Sequence, residues 1–253
     1  MDQARKTEWF EGADWDLFER QYQEPYRINL HFFSWLYEQG VLDHNQGKQI
    51  LYVGAGMGAN LYHANSQFPG NSFTGMDLNP ECVQKGNDRL ADLGASCCKL
   101  EVGDLFQMPP RYKNSFGGIF SLALLSWLPD FETPSASMIA LNPDWFAATS
   151  LFTESRVDAT IKTSDYSKPL SQSPCTEKFY NVYSLPRVRD FFAARGYTGF
   201  SFKPFSIDID LPKPEHGGMG TYTERLADGR RIQVSGPVLM SWYFILARKK
   251  SSQ

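Results

Sequence analysis

The stretch ILYVGAGMGANLYHA, residues 50–64, decides the fold. An apolar run ends in three glycines, Gly54, Gly56 and Gly58, and passes into a segment with helical spacing. Glycine adopts backbone conformations closed to other residues and lets a ligand come near the chain, while the first turn of a helix carries free N–H groups. The spacing G-x-G-x-x-A, with Ala59 in third place, suits the first strand-to-helix turn of a nucleotide-binding α/β fold. Asp77, nineteen positions beyond Gly58, ends a second apolar run, NSFTGMDLNP. A carboxylate there can accept both hydroxyls of a ribose.

Outward from this core the pattern alternates. Before it, residues 14–39 (DWDLFERQYQEPYRINLHFFSWLYEQ) have apolar and aromatic residues at three- and four-residue spacing, which predicts two helices split at Pro25 and closed by Gly40. After it, PECVQKGNDRLADLG reads as a helix capped by Asn79, with Pro80 at its first position and Gly94 at its end. A weak strand follows at CCKLEVGD and a stronger one at FGGIFSLALL, then a helical region within 134–152 and a strand at 156–165, RVDATIKTSD. SLPRVRDFFAARGY, ending at Gly196 and Tyr197, is a further helix. Strand and helix in turn predict a parallel sheet covered on both faces. The tail breaks the rhythm, because FSFKPFSIDIDL and VLMSWYFILARKK read as strands with no helix between them and so as antiparallel neighbours. TYTERLADGRRIQVSG, between them, predicts a hairpin turning at Asp228 and Gly229.

A chain of 253 residues is long enough for one large α/β domain with a full core. The division read from the sequence is a helical cap over 1–45 and a cofactor-binding domain over 46–253, with a hairpin insertion at about 214–237. The formal charge is −3, and Arg248–Lys250 is the only basic cluster, which disfavours a nucleic-acid partner. The four cysteines, Cys82, Cys97, Cys98 and Cys175, have neither zinc-site spacing nor the density of a disulfide scaffold. They read as reduced thiols. No metal is expected. No signal-type stretch opens the chain and no run approaches the ~18 apolar residues that cross a bilayer, so the expectation is a cytoplasmic protein without a membrane partner.

EVGDLFQMP, residues 101–109, places an acid at the end of the third strand, where it can accept from an adenine amino group. With this order of motifs and the paired C-terminal strands, the chain resembles the class I S-adenosylmethionine-dependent methyltransferases over roughly residues 48–250. The resemblance implies a Rossmann-like, doubly wound, mostly parallel sheet of seven strands with the last one antiparallel. It implies S-adenosylmethionine as cofactor, with Gly54, Ala55, Gly56 and Gly58 under its methionine part. Asp77 would hold the ribose beside Leu78, Asp104 and Leu105 would bracket the adenine, and Leu122 and Ala123, in SLALLSWLPD, would line the pocket. The chain departs from the family at Tyr52, where an acid is usual two residues before the first glycine, and at Gly117 and Gly118, where an acid often begins the fourth strand.

Methyl transfer is an in-line displacement on an already activated carbon, so alignment and exclusion of water matter most, and a base only where the acceptor carries a proton. Ligands of open α/β sheets bind beyond the carboxyl ends of the strands, which directs attention to Ser126, Trp127, Asp165 and Tyr166. His31, Asp165 and Tyr166 are the candidate catalytic residues. Tyr22, Tyr26, Arg27, Trp127 and His216 are the candidate substrate contacts, Arg27 and His31 sharing one helix face and His216 lying in the glycine-rich stretch HGGMGTYT. The fourth-strand exit lacks the D/N-P-P-Y/F pattern of enzymes that methylate planar nitrogens, which favours a small-molecule acceptor. The competing readings are a cofactor-binding relic without activity and an NAD-type oxidoreductase. Self-association is left open.

Overall fold

The computed structural model describes residues 15–44, 47–165, 176–213, 221–235 and 242–250. The chain divides into two compact units, Met1–Leu122 with Glu132–Ala147, and Ala123–Phe131 with Ala148–Gln253.

The first unit opens with α1 (Trp15–Gln23) and α2 (Arg27–Glu38), parted at Pro25 and followed by Gly40 at φ 69°. β1 (Gln49–Val53), α3 (Ala59–Gln67), β2 (Ser72–Asp77), α4 (Pro80–Asp92), β3 (Cys98–Val102) and β4 (Gly118–Leu122) then alternate as expected. β1 pairs in parallel with β2 on one side and β4 on the other, and β2 pairs in parallel with β3. The cap of α4 is the one the sequence announces: the Asn79 side chain accepts from the N–H groups of Glu81 and Cys82 at 2.9 and 3.3 Å. Asn87 of the same helix accepts from the Leu100 N–H at 2.8 Å and donates to its carbonyl at 3.0 Å, occupying backbone groups of the edge strand β3.

The region after β4 differs from the expectation. Helix α5 covers only Glu132–Ile139, and β5 (Trp145–Thr153) is a strand where the sequence suggested helix. β5 is buried along nearly its whole length, so it shows none of the in-out alternation that marks a half-exposed strand. The indole of Trp145 occupies the space a Cβ at Gly118 would need, which accounts for the glycine that begins β4. The strand expected at 156–165 is also corrected. β6 (Lys162–Asp165) pairs antiparallel with β7 (Thr176–Phe179) in a separate two-stranded sheet.

In the second unit β8 (Tyr183–Ser184) leads into α6 (Leu185–Ala193), whose Ser184 cap accepts from the Arg187 N–H at 3.4 Å. β9 (Gly199–Pro204) and β12 (Trp242–Arg248) pair antiparallel, as expected, although β9 stops at Pro204 rather than running to 211. β10 (Thr221–Arg225) and β11 (Arg231–Ser235) form the expected hairpin, with Gly229 at φ 83° in its turn. The main sheet runs β3-β2-β1-β4-β5-β12-β9, with β8 added to β5. Its seven-strand path and the reversed pair at its end match the predicted doubly wound α/β class. No described helix is long and apolar enough to cross a membrane.

Candidate functional site

The glycine turn joins β1 to α3. Gly54, Gly56 and Gly58 take φ values of 79°, 53° and 86°, all left-handed. Protein, rather than open space, faces two of them: a Cβ at Gly56 would lie 3.2 Å from the Phe18 ring of α1, and one at Gly58 would lie 3.1 Å from Leu100. The glycines at 56 and 58 therefore serve the path of the chain and its packing, which corrects the reading that a Cβ there would strike a ligand. Gly86, inside α4, does similar work, since a Cβ on it would overlap the Met57 carbonyl oxygen. A glycine inside a helical pattern was the available signal of that close approach.

Asp77, at the end of β2, is bound into the turn. Its Oδ2 accepts from the Gly56 N–H at 2.7 Å and its Oδ1 from the Asn79 N–H at 3.0 Å. Burial pushes its carboxyl above the ordinary range, and the backbone donors of Asn79, Gly56 and Leu78 pull against that shift. Of the roughly four acceptor sites of a carboxylate, the hydrogen bonds from Gly56 and Asn79 occupy one on each oxygen. β3 ends opposite Asp77, with Val102 as its register partner, and the Gly103 N–H donates to the Asp77 carbonyl at 2.9 Å. Asp104 follows on the same strand-end edge, half-buried, its Oδ1 accepting from the Phe106 N–H at 2.9 Å. Leu78 and Leu105 are half-buried beside these acids in sequence, and Leu122, at the end of β4, is buried. The turn, Asp77 and Asp104 are thus brought to one edge, in the strand order the fold dictates. Three left-handed glycines, a carboxylate tied to their backbone and a second acid one strand away fit a nucleoside-bearing cofactor.

α1 packs on this turn. The Tyr22 hydroxyl donates to the Met57 carbonyl, His63 Nε2 lies 2.8 Å from the Gln21 carbonyl, and the Tyr22 and Tyr62 rings meet at 5.9 Å. A cavity of about 320 Å³ between α1 and α4 is lined by Trp15, Glu19, Met57 and Arg89 among others, and neither Asp77 nor Asp104 reaches it. Tyr26, Arg27 and His31 are exposed on the surface of the unit. Tyr52 is buried, stacked on Phe120 at 4.7 Å, and its hydroxyl accepts from Asn60 Nδ2 at 3.1 Å. Asn60 and its partner Asn29 were not anticipated, since a polar residue in the first turn of a helix is common and signals little alone.

The second unit holds the other candidates. Ala123 is exposed and takes φ 52°, with its N–H donated to both the Thr149 carbonyl, at 2.9 Å, and Thr149 Oγ1, at 3.0 Å. Ser126 is committed to the fold: its Oγ lies 2.6 Å from Ser150 Oγ and accepts from the Leu151 N–H at 3.0 Å. Trp127 is half-buried edge-on to Tyr180 at 4.4 Å. Asp165 ends β6, outside the main sheet, so its expected place beyond a carboxyl end of that sheet is overturned. Tyr166, His216 and Cys175 lie outside the described residues. Cys82, Cys97 and Cys98 are free thiols, and burial pushes Cys98 up to about 12. Among the described residues no cluster of three metal-ligating side chains occurs.

Residues 50–140 match the methyltransferase domain family. Among solved structures, magnesium protoporphyrin IX methyltransferase of Synechocystis PCC 6803 superposes with a TM-score of 0.57 at 13% identity, covering 98% of this chain and 100% of that one. The YcgJ protein of Bacillus subtilis gives 0.56 at 13%, covering 88% and 99%. Phosphoethanolamine N-methyltransferase 2 of Haemonchus contortus, bound to phosphomonomethylethanolamine and S-adenosylhomocysteine, gives 0.56 at 14%, covering 90% and 54%. At these identities the likeness is one of fold. No curated protein sequence matches the chain. The matched segment contains the glycine turn, Asp77 and Asp104, so that residues 50–140 carry the features of a methyltransferase domain.

Proposed function

We propose that this enzyme transfers the methyl group of S-adenosylmethionine to a small-molecule acceptor, using the edge formed by the ends of β1, β2 and β3. The observation that carries the reading is the seat of Asp77, a mostly buried carboxylate fixed to the Gly56 N–H. Asp77 accepts the two ribose hydroxyls, with Leu78 packing beside the sugar. Asp104 accepts from the adenine amino group and Leu105 covers the base. The turn at Gly54, Ala55, Gly56 and Gly58 follows the methionine part, and Leu122 and Ala123 line the remaining wall.

The cofactor supplies a carbon activated by the sulfonium charge. The chain's own task is to align an acceptor against that carbon and to exclude water. No fixed base is required for an acceptor that is unprotonated at neutral pH. Tyr22, Tyr26, Arg27 and Trp127 remain candidates for acceptor contact, and His31, exposed on α2, is the candidate base should the acceptor carry a proton. His216 and Tyr166 stay as candidates from the sequence alone. The acidic balance of the chain, −3, supports a small acceptor over nucleic acid, as do two of the compared structures, whose names specify a magnesium porphyrin and phosphoethanolamine. A cytoplasmic setting is proposed on the same footing as before, from the sequence.

Calorimetric titration with S-adenosylmethionine, S-adenosylhomocysteine and NAD side by side tests the reading. The first two bind and NAD does not; binding of NAD alone overturns it, and binding of none favours a relic. Asp77→Ala abolishes the signal while circular dichroism reports an intact fold.

A further inference from the structure

The cavity between α1 and α4 lies outside the edge assigned to the cofactor. Its volume, about 320 Å³, stands at the lower end of the roughly 300–1,000 Å³ of small-molecule pockets. α4 begins at Pro80, three residues after Asp77, but its second half lines the cavity, with Lys85, Asp88, Arg89 and Asp92. At about 1.5 Å per residue, Arg89 is roughly 13 Å along the helix from Pro80. Trp15 and Met57 supply the apolar part of the wall.

Much of the charge in this wall is already engaged. Lys85 Nζ lies 3.0 Å from Glu81 Oε1 and 3.7 Å from the centre of the Trp15 ring, and Asp88 accepts from Gln84 Nε2 at 3.1 Å. Two groups differ. Arg89 Nε lies 3.2 Å from Glu19 Oε2, yet among the described residues the guanidinium donates no hydrogen bond, and Nε itself is buried without a partner. The Asp92 carboxylate has neither a hydrogen bond nor an ion pair among the described residues. A guanidinium offers five N–H donors and a carboxylate about four acceptor sites, so this wall holds unspent capacity of both signs.

The spacing of the two groups says which ligand uses both. Arg89 and Asp92 are three apart on α4, which puts their Cβ atoms about 5–6 Å from one another on one helix face. A ligand bridging them carries a negative and a positive group close together. A simple anion would meet Glu19, Asp88 and Asp92, and a simple cation would meet Lys85 and Arg89. We propose that this cavity is a second small-molecule site, taking a zwitterionic α-amino acid with an apolar side chain. Its carboxylate accepts from the Arg89 guanidinium, its ammonium donates to Asp92, and its side chain lies on Trp15 and Met57. Hydrogen bonds between charged groups are roughly twice as strong as neutral ones, and the guanidinium matches the carboxylate in shape. The half-exposed Glu19 side chain turns to solvent as the ligand carboxylate arrives.

Calorimetry on the full chain at low ionic strength tests this with three ligands of one shape: L-phenylalanine, 3-phenylpropionate, which lacks the ammonium, and 2-phenylethylamine, which lacks the carboxylate. Phenylalanine binds, and each analogue binds at least about tenfold more weakly through loss of one charge-assisted hydrogen bond. Arg89→Gln weakens phenylalanine by about the same factor and does not weaken 2-phenylethylamine. Asp92→Asn weakens phenylalanine and does not weaken 3-phenylpropionate. Asp92 is exposed, so the second variant serves if loss of Arg89 disturbs the fold. Absence of phenylalanine binding to the native chain at millimolar concentration overturns the inference. A folded variant that weakens all three ligands alike also overturns it. So does displacement of phenylalanine by S-adenosylhomocysteine, which would put the amino acid in the place of the cofactor.

Discussion

The exits of β1 and β4 use the same left-handed backbone by different means. After β1 the conformation is taken by Gly54, Gly56 and Gly58. After β4 it is taken by Ala123, at φ 52°, a conformation that costs an ordinary residue roughly 1–2 kcal/mol. There the Ala123 N–H is held by both the carbonyl and the hydroxyl of Thr149, at 2.9 and 3.0 Å. One exit is set by composition and the other by a tether. The first announces itself in the sequence and is closed to larger residues by Phe18 and Leu100. The second is silent in the sequence and depends on a residue twenty-six positions away.

Breaking the β1 exit from behind has the largest expected effect. Gly86→Ala drives a methyl group into the Met57 carbonyl and lowers stability by about 2–3 kcal/mol, read as the shift of a urea unfolding midpoint at constant slope. The backbone of the turn has to move to admit it, so affinity for S-adenosylhomocysteine falls with it. Gly58→Ala comes next, at about 1–2 kcal/mol, from the left-handed φ of 86° together with contact on Leu100. Thr149→Val leaves the carbonyl half of the tether and removes the hydroxyl half, which costs about 1 kcal/mol by the same measurement. Ala123→Gly has the smallest effect, within about 0.5 kcal/mol of native, because relief of the left-handed strain offsets the added freedom of the unfolded chain. A marked loss at 123 would mean that the alanine methyl has a packing role, and the contrast between the two exits would fail.

The same contrast explains what could be read from the letters. The first unit was legible because each element carries its own punctuation: Pro25 and Gly40 around the first helices, the glycines of the turn, Asn79 with Pro80 opening α4, and Gly94 closing it. Asp77 and Asp104 could be placed because strand ends in an alternating α/β chain fall at one edge. β5 was lost because a strand buried on both faces has no period of two, and its Ala147, Ala148 and Thr149 do not distinguish strand from helix. That loss moved the next strand into the vacant place and carried Asp165 with it, whereas β6 pairs only with β7. Asn29 and Asn60 were invisible for another reason: their meaning lies in a contact thirty-one positions apart in the chain, and no local pattern encodes it.

The account stands on the mapping of adenine, ribose and amino acid onto the ends of β3, β2 and β1. A crystal structure of the complex with S-adenosylhomocysteine tests it most directly. The predicted result has both ribose hydroxyls within hydrogen-bond distance of the Asp77 carboxylate and the adenine beside Asp104 and Leu105. A nucleoside seated elsewhere, for instance in the cavity between α1 and α4 lined by Trp15 and Arg89, would contradict it.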